Sequence, residues 1–299
     1  MSVLLSIRNA FLSLTVDTLG AQMMSLCSGG TEYLWQGDRE YWADRAPTLF
    51  PFIGRLTENS CMFHGKSYSM GIHGFAAQSE FLPLEQSPES LVLCLTASAA
   101  TWAQYPFDFS LKISYCLKEN VLEITYSVYN ASDCVMPFAI GGHPGFRVPF
   151  SDSDCFEDYV LDFSQECRPD RVGFTPAVYL SGRDEPFPLE GGRRLHLRHD
   201  LFDEDAIILK NMDRRVKLHS VQGNRFLTVS FPQMPYLGIW HVPGTDAPYV
   251  CIEPWSSLPS RQDIVEELSC KSDLIHLLPR QTYENKWTIT IANKEDSHD

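Results

Sequence analysis

Apolar and polar residues alternate with a period of two along much of this chain. The alternation is regular over residues 12–16 and 91–97, where leucine, valine or alanine occupies every second position. Because successive side chains of a strand point to opposite faces of a sheet, this pattern predicts strands with one buried face. The clearest segment predicts a β-hairpin, with strands over residues 111–117 and 121–128 joined by a turn at 118–120.

The rest of the chain continues the same pattern. Further strands are predicted over residues 206–209, 216–219, 226–231 and 287–291, and short helical segments only over 40–44 and 256–263. The 19 prolines and 18 glycines are spread between these segments. Many strands and almost no helix predict an all-β protein, a large antiparallel β-sandwich. We expect one domain over residues 1–292 and a polar, frayed tail at 293–299.

Charge and cysteine content indicate which partners and which cellular compartment to expect. With 38 acidic and 24 basic residues the net charge is −14, which disfavours binding to nucleic acid or to anionic membranes. The nine cysteines form no C-x-x-C pair and lie mostly in apolar surroundings, so we expect reduced packing residues. The chain begins without a secretory signal pattern and no apolar run reaches the ~18 residues of a membrane span. These features predict a cytoplasmic protein.

The stretch YVCIEPW, residues 249–255, is the strongest candidate for chemistry. Glu253 follows an apolar run and is flanked by Pro254, which we expect to stop the strand, and by the indole of Trp255. A carboxylate in such surroundings loses hydration, so its pKa rises towards the range of a general base at neutral pH. The alternative is a structural glutamate that caps a turn or pairs with an arginine.

Three glycine-rich motifs carry further candidates. Arg55 ends the run PFIGR, where it could form a structural ion pair or bind ligand oxygens with its forked donors. His73 in GIHGF and His143 in GGHPGF each lie between glycines and beside an aromatic ring. Glycine allows a ligand to approach the backbone closely and an aromatic ring suits the apolar face of a sugar, although a lone histidine is more often a core residue.

Two other segments are weak candidates for metal binding. Residues 151–158 hold several carboxylates but lack the glycine and terminal glutamate of an EF-hand loop. His196 and His199 would point to opposite faces of a strand, which argues against a shared metal ion.

Taken together, the motifs PTLFPFIGRL, MGIHGFA, GGHPGF, PYLGIWH and VCIEPW, with the later ELSCK and LLP, occur in one order along nearly the whole chain. In this respect the sequence resembles the aldose 1-epimerase (galactose mutarotase) family, in its bacterial branch of broad or unassigned sugar specificity. The resemblance implies one large antiparallel supersandwich. It also implies a concave face that binds a free sugar and interconverts its α and β anomers, without a metal or redox cofactor.

The resemblance also implies roles for individual residues. By its motif Glu253 is similar to the family's general base and His143 to its general acid. His73 resembles the second histidine, which hydrogen-bonds near the ring oxygen, and Arg55 resembles the arginine that holds sugar hydroxyls.

Other positions remain open at this stage. A family aspartate that contacts hydroxyls should be Asp203 or Asp205, which we expect on the same side of a strand. Trp240 and Trp255 could form walls against the sugar or pack in the core. Branch members often place an arginine after HGF-Ala, but here Ala77 and Gln78 follow Ala76. That departure and the acidic charge weaken the case for a sugar phosphate.

The leading hypothesis is therefore a cofactor-independent mutarotase of free aldohexoses, monomeric or homodimeric. One alternative is a non-catalytic sugar-binding or regulatory protein on the same scaffold, which would not need both Glu253 and His143. Another is a hexose-6-phosphate mutarotase, which predicts several arginines around the pocket mouth. Glycoside hydrolysis would normally need two carboxylates, Glu253 with Asp203 or Asp205, and would leave the histidines without a role.

Overall fold

The structure is a computed structural model that describes residues 2–293. Within these residues helix is limited to α1 (Ala99–Trp102) and four single 3-10 turns, Thr57–Asn59, Ala76–Gln78, Phe156–Asp158 and His199–Phe202. The strands of the first half are β1 (Leu4–Arg8), β2 (Leu12–Asp17), β3 (Gln22–Ser28), β4 (Thr31–Glu32), β5 (Thr48–Leu49), β6 (Ser60–Phe63), β7 (Lys66–Ser69), β8 (Leu82–Gln86), β9 (Ser90–Thr96), β10 (Phe109–Lys118), β11 (Val121–Asn130), β12 (Met136–Phe138), β13 (Gly141–Gly142) and β14 (Gly145–Arg147). Those of the second half are β15 (Tyr159–Phe163), β16 (Asp170–Arg171), β17 (Glu185–Pro186), β18 (Arg194–His196), β19 (Ile207–Lys210), β20 (Arg215–Ser220), β21 (Arg225–Ser230), β22 (Tyr236–Trp240), β23 (Tyr249–Trp255), β24 (Ile275–Leu277) and β25 (Thr282–Asn293).

A nine-stranded antiparallel sheet forms one layer, in the order β18-β15-β20-β21-β25-β11-β10-β9-β8. Its long strands alternate strictly between buried and partly exposed residues, as in β10 and β11. The predicted hairpin is confirmed, because Lys118 pairs with Val121 and only Glu119 and Asn120 lie in the turn. The alternation buries one face of the sheet and leaves the other towards solvent.

An eight-stranded sheet forms the second layer. Seven strands follow the order β17-β16-β19-β22-β23-β13-β5, and β14 also pairs with β23. Side chains of the nine-stranded sheet reach this layer directly: a Cβ on Gly142 of β13 would lie 2.9 Å from Trp287 of β25 and 3.1 Å from the hydroxyl of Tyr126 of β11. The prediction of a large antiparallel β-sandwich with very little helix is confirmed.

Smaller sheets complete the molecule. A four-stranded sheet follows the order β1-β2-β3-β4, while β6 pairs with β7 and β12 with β24. Among the described residues there is no helix of the length and apolarity needed to cross a membrane.

Several local predictions were wrong. Residues 40–44 and 256–263 form turns and irregular loops instead of short helices, and the one α-helix, α1, was not predicted. Ser98 caps that helix by accepting the N–H of Thr101 at 3.3 Å. The tail prediction began too early, because Asn293 belongs to β25 and pairs with Arg225, and residues 294–299 lie outside the described part of the chain.

Candidate active site

The site is built on β23, whose seven residues are all buried. Val250 and Ile252 belong to the main hydrophobic core. Tyr249 and Cys251 belong to a separate cluster with Trp35 and Ala247. Because strand side chains alternate, Glu253 shares the face of Tyr249 and Cys251, away from the main core. Only 1% of Glu253 is exposed.

The strand does not stop at Pro254 as predicted, but continues to Trp255. Ile252 and Ser256 donate their N–H groups to the carbonyl oxygens of Pro144 and Ile140, at 3.2 and 3.1 Å. Pro254 lies midway between these bonds, opposite Gly142, where strand pairing is interrupted between β13 and β14. Its missing N–H leaves out one ladder hydrogen bond, but the bonds of Ile252 and Ser256 on either side keep the strand paired.

The pairing of β13 and β14 with β23 places His143 beside Glu253. Gly141 pairs with Trp255 and Gly145 with Cys251, which places residue 143 opposite Glu253. The N–H of His143 donates to the carbonyl oxygen of Pro47 at 3.1 Å. The Nε2 atom of His143 lies 3.2 Å from Oε2 of Glu253, and only 11% of the histidine side chain is exposed.

Gly238 of β22 makes room for the carboxyl group. It pairs with Glu253 across the ladder. A Cβ at residue 238 would lie 3.1 Å from the Cβ and 3.3 Å from the carboxyl carbon of Glu253, closer than ordinary van der Waals contact. The glycine of the PYLGIWH motif is therefore part of the geometry of the carboxylate.

His73 is held by two hydrogen bonds with Gly54. The backbone N–H of His73 donates to the Gly54 carbonyl at 3.0 Å, and the ring Nδ1 of His73 accepts the backbone N–H of Gly54 at 3.1 Å. Since Nδ1 accepts, the proton of the neutral ring is assigned to Nε2. Gly54 has a positive φ of 74° and lies so close to Pro259 that a Cβ would approach it to 2.3 Å. The imidazole centroids of His73 and His143 are 5.6 Å apart.

Burial dominates the electrostatics of this group. It raises the pKa of Glu253 well above its usual range, and the nearby charge of Asp205 adds to the rise, while Trp255 opposes it. Burial also lowers the pKa of His143 well below 6.5, with a further contribution from His73. The pKa of His73 falls to about 4 through burial and the charge of Arg55. Both members of the Glu253–His143 pair thus favour their neutral forms. The proton that the two groups can exchange therefore lies on the carboxyl group of Glu253, and the imidazole of His143 is uncharged.

A cavity of about 1100 Å³ opens beside this pair. All eight candidate residues of the sequence analysis line it: Arg55, His73, His143, Asp203, Asp205, Trp240, Glu253 and Trp255. Residues separated by about two hundred positions along the chain therefore line the same cavity. The volume exceeds what a single hexose occupies and lies slightly above the range of about 300–1,000 Å³ that is typical of ligand pockets.

The two aspartates do not lie on a strand as expected. Both follow the 3-10 turn His199–Phe202 and precede β19, and Asp205 has a positive φ of 75°. Asp205 is half-buried and its charge acts on Glu253, whereas Asp203 is exposed and its charge acts on His241. Burial and the effect of its charge on Glu253 thus favour Asp205 over Asp203 as the aspartate of the site.

Sequence reasoning missed Trp42, which covers the pair from outside. Its ring centroid lies 5.0 Å from that of His143, 5.5 Å from Trp240 and 5.7 Å from Tyr249. Trp240 in turn packs edge-on to His143 at 5.6 Å. Trp42 lies in the segment predicted as a short helix, so its motif gave no indication of the site.

Sequence reasoning also missed two arginines of the cavity lining. Arg171 and Arg183 line it together with Arg55. Arg171 lies 3.8 Å from the exposed Glu204. Within residues 2–293 the guanidinium groups of Arg55 and Arg183 make no hydrogen bond or ion pair. They are therefore available to a ligand.

The two weak metal candidates lie apart from this cavity. Residues 151–158 do not line it. His196 contacts Glu190, whereas His199 lies 3.1 Å from His241, so these two histidines have different partners.

Comparisons with known proteins agree with the fold and with the family that the motifs resemble. Residues 3–267 match the family model described as aldose 1-epimerase. The chain is 31% identical to the chromosomal protein LacX of Lactococcus lactis subsp. lactis over 298 residues, which covers 97% of this chain and 99% of that protein. A galactose mutarotase related enzyme from Lactobacillus acidophilus superposes with a TM-score of 0.93 at 30% identity, covering 99% of this chain and all of that one. A galactose mutarotase-like protein from Lactobacillus casei gives a TM-score of 0.91 at 29% identity, with 97% and 100% covered. The chain therefore belongs to the aldose 1-epimerase family.

Proposed function

We propose that the protein is a mutarotase of free aldohexoses, with Glu253 as general base and His143 as general acid. The observation that carries the proposal is the 3.2 Å separation of the Glu253 Oε2 and His143 Nε2 atoms at the wall of a cavity large enough for a sugar. The anomeric hydroxyl and the ring oxygen of a pyranose are both bonded to C1. Two proton-transfer groups this close together can therefore reach both oxygens of one substrate.

In the proposed reaction, ionised Glu253 takes the proton of the anomeric hydroxyl and protonated His143 gives one to the ring oxygen. The bond between C1 and the ring oxygen breaks, and C1 becomes an aldehyde carbon. Rotation about the C1–C2 bond presents the other aldehyde face. On ring closure the hydroxyl that attacks C1 returns its proton to His143. Glu253 gives its proton to the aldehyde oxygen, and the product is the other anomer.

The pKa directions suit the ring-opened stage of this cycle. Opening the ring leaves Glu253 protonated and His143 neutral, which is the arrangement that burial favours. The reactive arrangement contains the same number of protons, with one moved from the carboxyl group to the imidazole. The environment of the pair therefore favours proton movement towards ring opening.

Neighbouring groups would hold the sugar in place. The unpaired guanidinium of Arg55 and the carboxylate of Asp205 offer complementary partners for hydroxyl groups. The Nε2 proton of His73 is free to donate to an oxygen near C1, since its Nδ1 already accepts from Gly54. Trp240 and Trp255 supply apolar surface along the same cavity.

Polarimetry on fresh α-D-glucose and α-D-galactose tests the assignment. General acid and general base assistance each contribute about 10²–10⁴, so Glu253→Gln and His143→Asn should each lower the catalysed rate by about that factor. Glu89→Gln and His64→Asn are matched controls at exposed positions, and asparagine is compatible with the positive φ of residue 64. Full activity of both site variants would refute the assigned roles. Sugar binding without any anomer exchange by the wild type would indicate the non-catalytic alternative.

A second candidate substrate, a hexose 6-phosphate, is favoured by the arginines of the lining. Three guanidinium groups around one cavity are the feature this alternative predicts, and forked donors suit phosphate. Acidic neighbours oppose it, since Glu185, Asp203 and Glu204 line the same region. For a phosphorylated substrate, inorganic phosphate should compete and Arg183→Ala should raise KM at least about tenfold for the phosphate ester alone. Equal effects on free and phosphorylated hexoses would eliminate this candidate.

A further inference from the structure

Three potential metal ligands lie close together beside the cavity, and two of them, His143 and Glu253, line it. A ring nitrogen of His143, Sγ of Cys251 and a carboxylate oxygen of Glu253 all lie within 4.8 Å of one another. Cys251 and Glu253 are two positions apart on β23, so they share a face, and the pairing of β13 and β14 with β23 places His143 opposite Glu253. The mechanism proposed above gives no role to the thiol of Cys251.

The separations are close to those of a tetrahedral site. Zinc bonds of about 2.0–2.3 Å to nitrogen, oxygen and sulfur correspond to donor separations of about 3.3–3.8 Å. The Glu253–His143 distance of 3.2 Å is already near this range. Cys251 needs to close its distance by at most about 1 Å, which a small rotation of its side chain can supply.

The cluster also contains a buried polar atom without a hydrogen bond. Glu253 is almost fully buried, and its Oε2 makes no hydrogen bond of acceptable geometry within the described chain, although Nε2 of His143 lies 3.2 Å away. His143 and Glu253 both line the cavity, which gives an ion an entry path and leaves a fourth position open to water. One imidazole, one thiol and one carboxylate form a mixed donor set that suits Zn²⁺ and Co²⁺ better than Mg²⁺ or Ca²⁺.

We propose that His143, Cys251 and Glu253 bind a thiophilic divalent metal ion such as Zn²⁺ and that the bound ion inhibits the enzyme. The ion would be bound by Nε2 of His143 and by an oxygen of Glu253, which are the two groups that move protons in the proposed reaction. Binding of the ion and catalysis would therefore exclude each other. Metal binding itself is independent of the proposed activity, so the two can fail separately.

Direct binding is measured with Co²⁺ by absorption spectroscopy on the purified protein. The wild type should show a sulfur-to-cobalt charge-transfer band and the visible bands of a four-coordinate ion. Cys251→Ala should lose the charge-transfer band, and Cys251→Ser should lose it while keeping a side chain of similar size. The control replaces the two exposed cysteines, Cys155→Ser with Cys270→Ser, and should keep the band. Absence of the band in the wild type, or its persistence in Cys251→Ala, would overturn the site.

Inhibition is measured by adding Zn²⁺ to the anomer-exchange assay. The wild type should be inhibited reversibly, with full recovery on chelation, and Mg²⁺ should have no effect. Loss of a ligand should weaken Zn²⁺ inhibition at least about tenfold in Cys251→Ala, whose rate without metal should equal that of the wild type. Equal Zn²⁺ sensitivity of the wild type and Cys251→Ala would contradict the inhibitory role, even if the cobalt band is present.

Discussion

Strands β11 and β23 are both central in their sheets, but they are buried in different ways. In β11 every second residue is buried, from Leu122 to Asn130. In β23 all seven residues are buried. One face of β23 packs in the main core through Val250 and Ile252, as β11 does, but its other face is covered by residues from elsewhere in the chain.

This difference separates a strand that builds the fold from one that builds the site. The outer face of β11 is left to solvent, so its polar residues need no partner beyond the sheet. The outer face of β23 carries Glu253 beneath His143 and Trp42, which shield it from water. Shielding is what shifts the pKa of the carboxyl group, so the covering residues are as much part of the chemistry as the carboxylate.

The largest expected effect is on stability, from a cavity under β11. Ile124 is fully buried and pairs with Tyr115 and Trp287 on either side. Ile124→Ala should lower the free energy of unfolding by about 2–5 kcal/mol, measured by urea denaturation. Thr125→Ala, on the other face of the same strand, should change it by about 0.5 kcal/mol or less. Similar losses in both variants would contradict the one-sided burial of β11.

The next effect concerns a titratable group in the cover of β23. His241 follows β22, is completely buried, and has a ring centroid 6.2 Å from that of Tyr249. Burial lowers its pKa from 6.5 to about 4. The folded state therefore binds this proton more weakly than the unfolded state, so stability is complete above pH 6.5 and falls as pH drops towards 4. The loss attributable to this group is about 3 kcal/mol.

The comparison with His241→Asn isolates that contribution. The variant should lose about 3 kcal/mol less unfolding free energy than the wild type between pH 7 and pH 4, because residue 241 no longer titrates. Asparagine can still donate to the carbonyl oxygen of Val242, which Nδ1 of His241 approaches to 2.8 Å. His276→Asn, at an exposed position, is the control. The same pH dependence in the wild type and His241→Asn would show that residue 241 does not titrate as proposed.

A smaller effect on activity is expected from Gly238, which sets the position of Glu253 on the outer face of β23. In Gly238→Ala the new methyl group would press on the Glu253 side chain at 3.1 Å and displace its carboxyl group. Displacements approaching 1 Å can lower rates about 10²-fold, so we expect a fall of about 10- to 100-fold in kcat for anomer exchange. Gly71→Ala is the matched control, since a Cβ there meets nothing within 4 Å and its φ is not positive. An unchanged rate in Gly238→Ala would show that activity does not depend on the space that Gly238 leaves for the Glu253 side chain.

These contrasts also explain how far the sequence could predict the molecule. Period-two alternation predicted β11 and its hairpin because one face is buried and the other is not. The same rule says nothing about what covers a strand buried on both faces, so Trp42 and Arg183 were missed although both line the cavity. Proline normally ends a strand, but β23 continues through Pro254 because Ile252 and Ser256 on either side keep their ladder hydrogen bonds. No local pattern reports these partners, which come from a distant segment of the chain.

The smallest expected effect is an absence of change, in the pH dependence of catalysis. Glu253 and His143 share one proton, and a second proton must bind to His143 before the pair becomes inactive on the acid side. Because burial and His73 lower the pKa of His143 well below 6.5, the rate should stay constant as pH falls through 6.5. An ordinary exposed histidine would show its transition there. The measurement is kcat/KM for anomer exchange as a function of pH, corrected for the spontaneous reaction. The apparent pKa values of the acid and alkaline limbs of this profile describe the coupled pair and not either residue alone. A transition centred at 6.5 would mean that His143 titrates as if it were exposed to water, which would contradict the shielding of the outer face of β23.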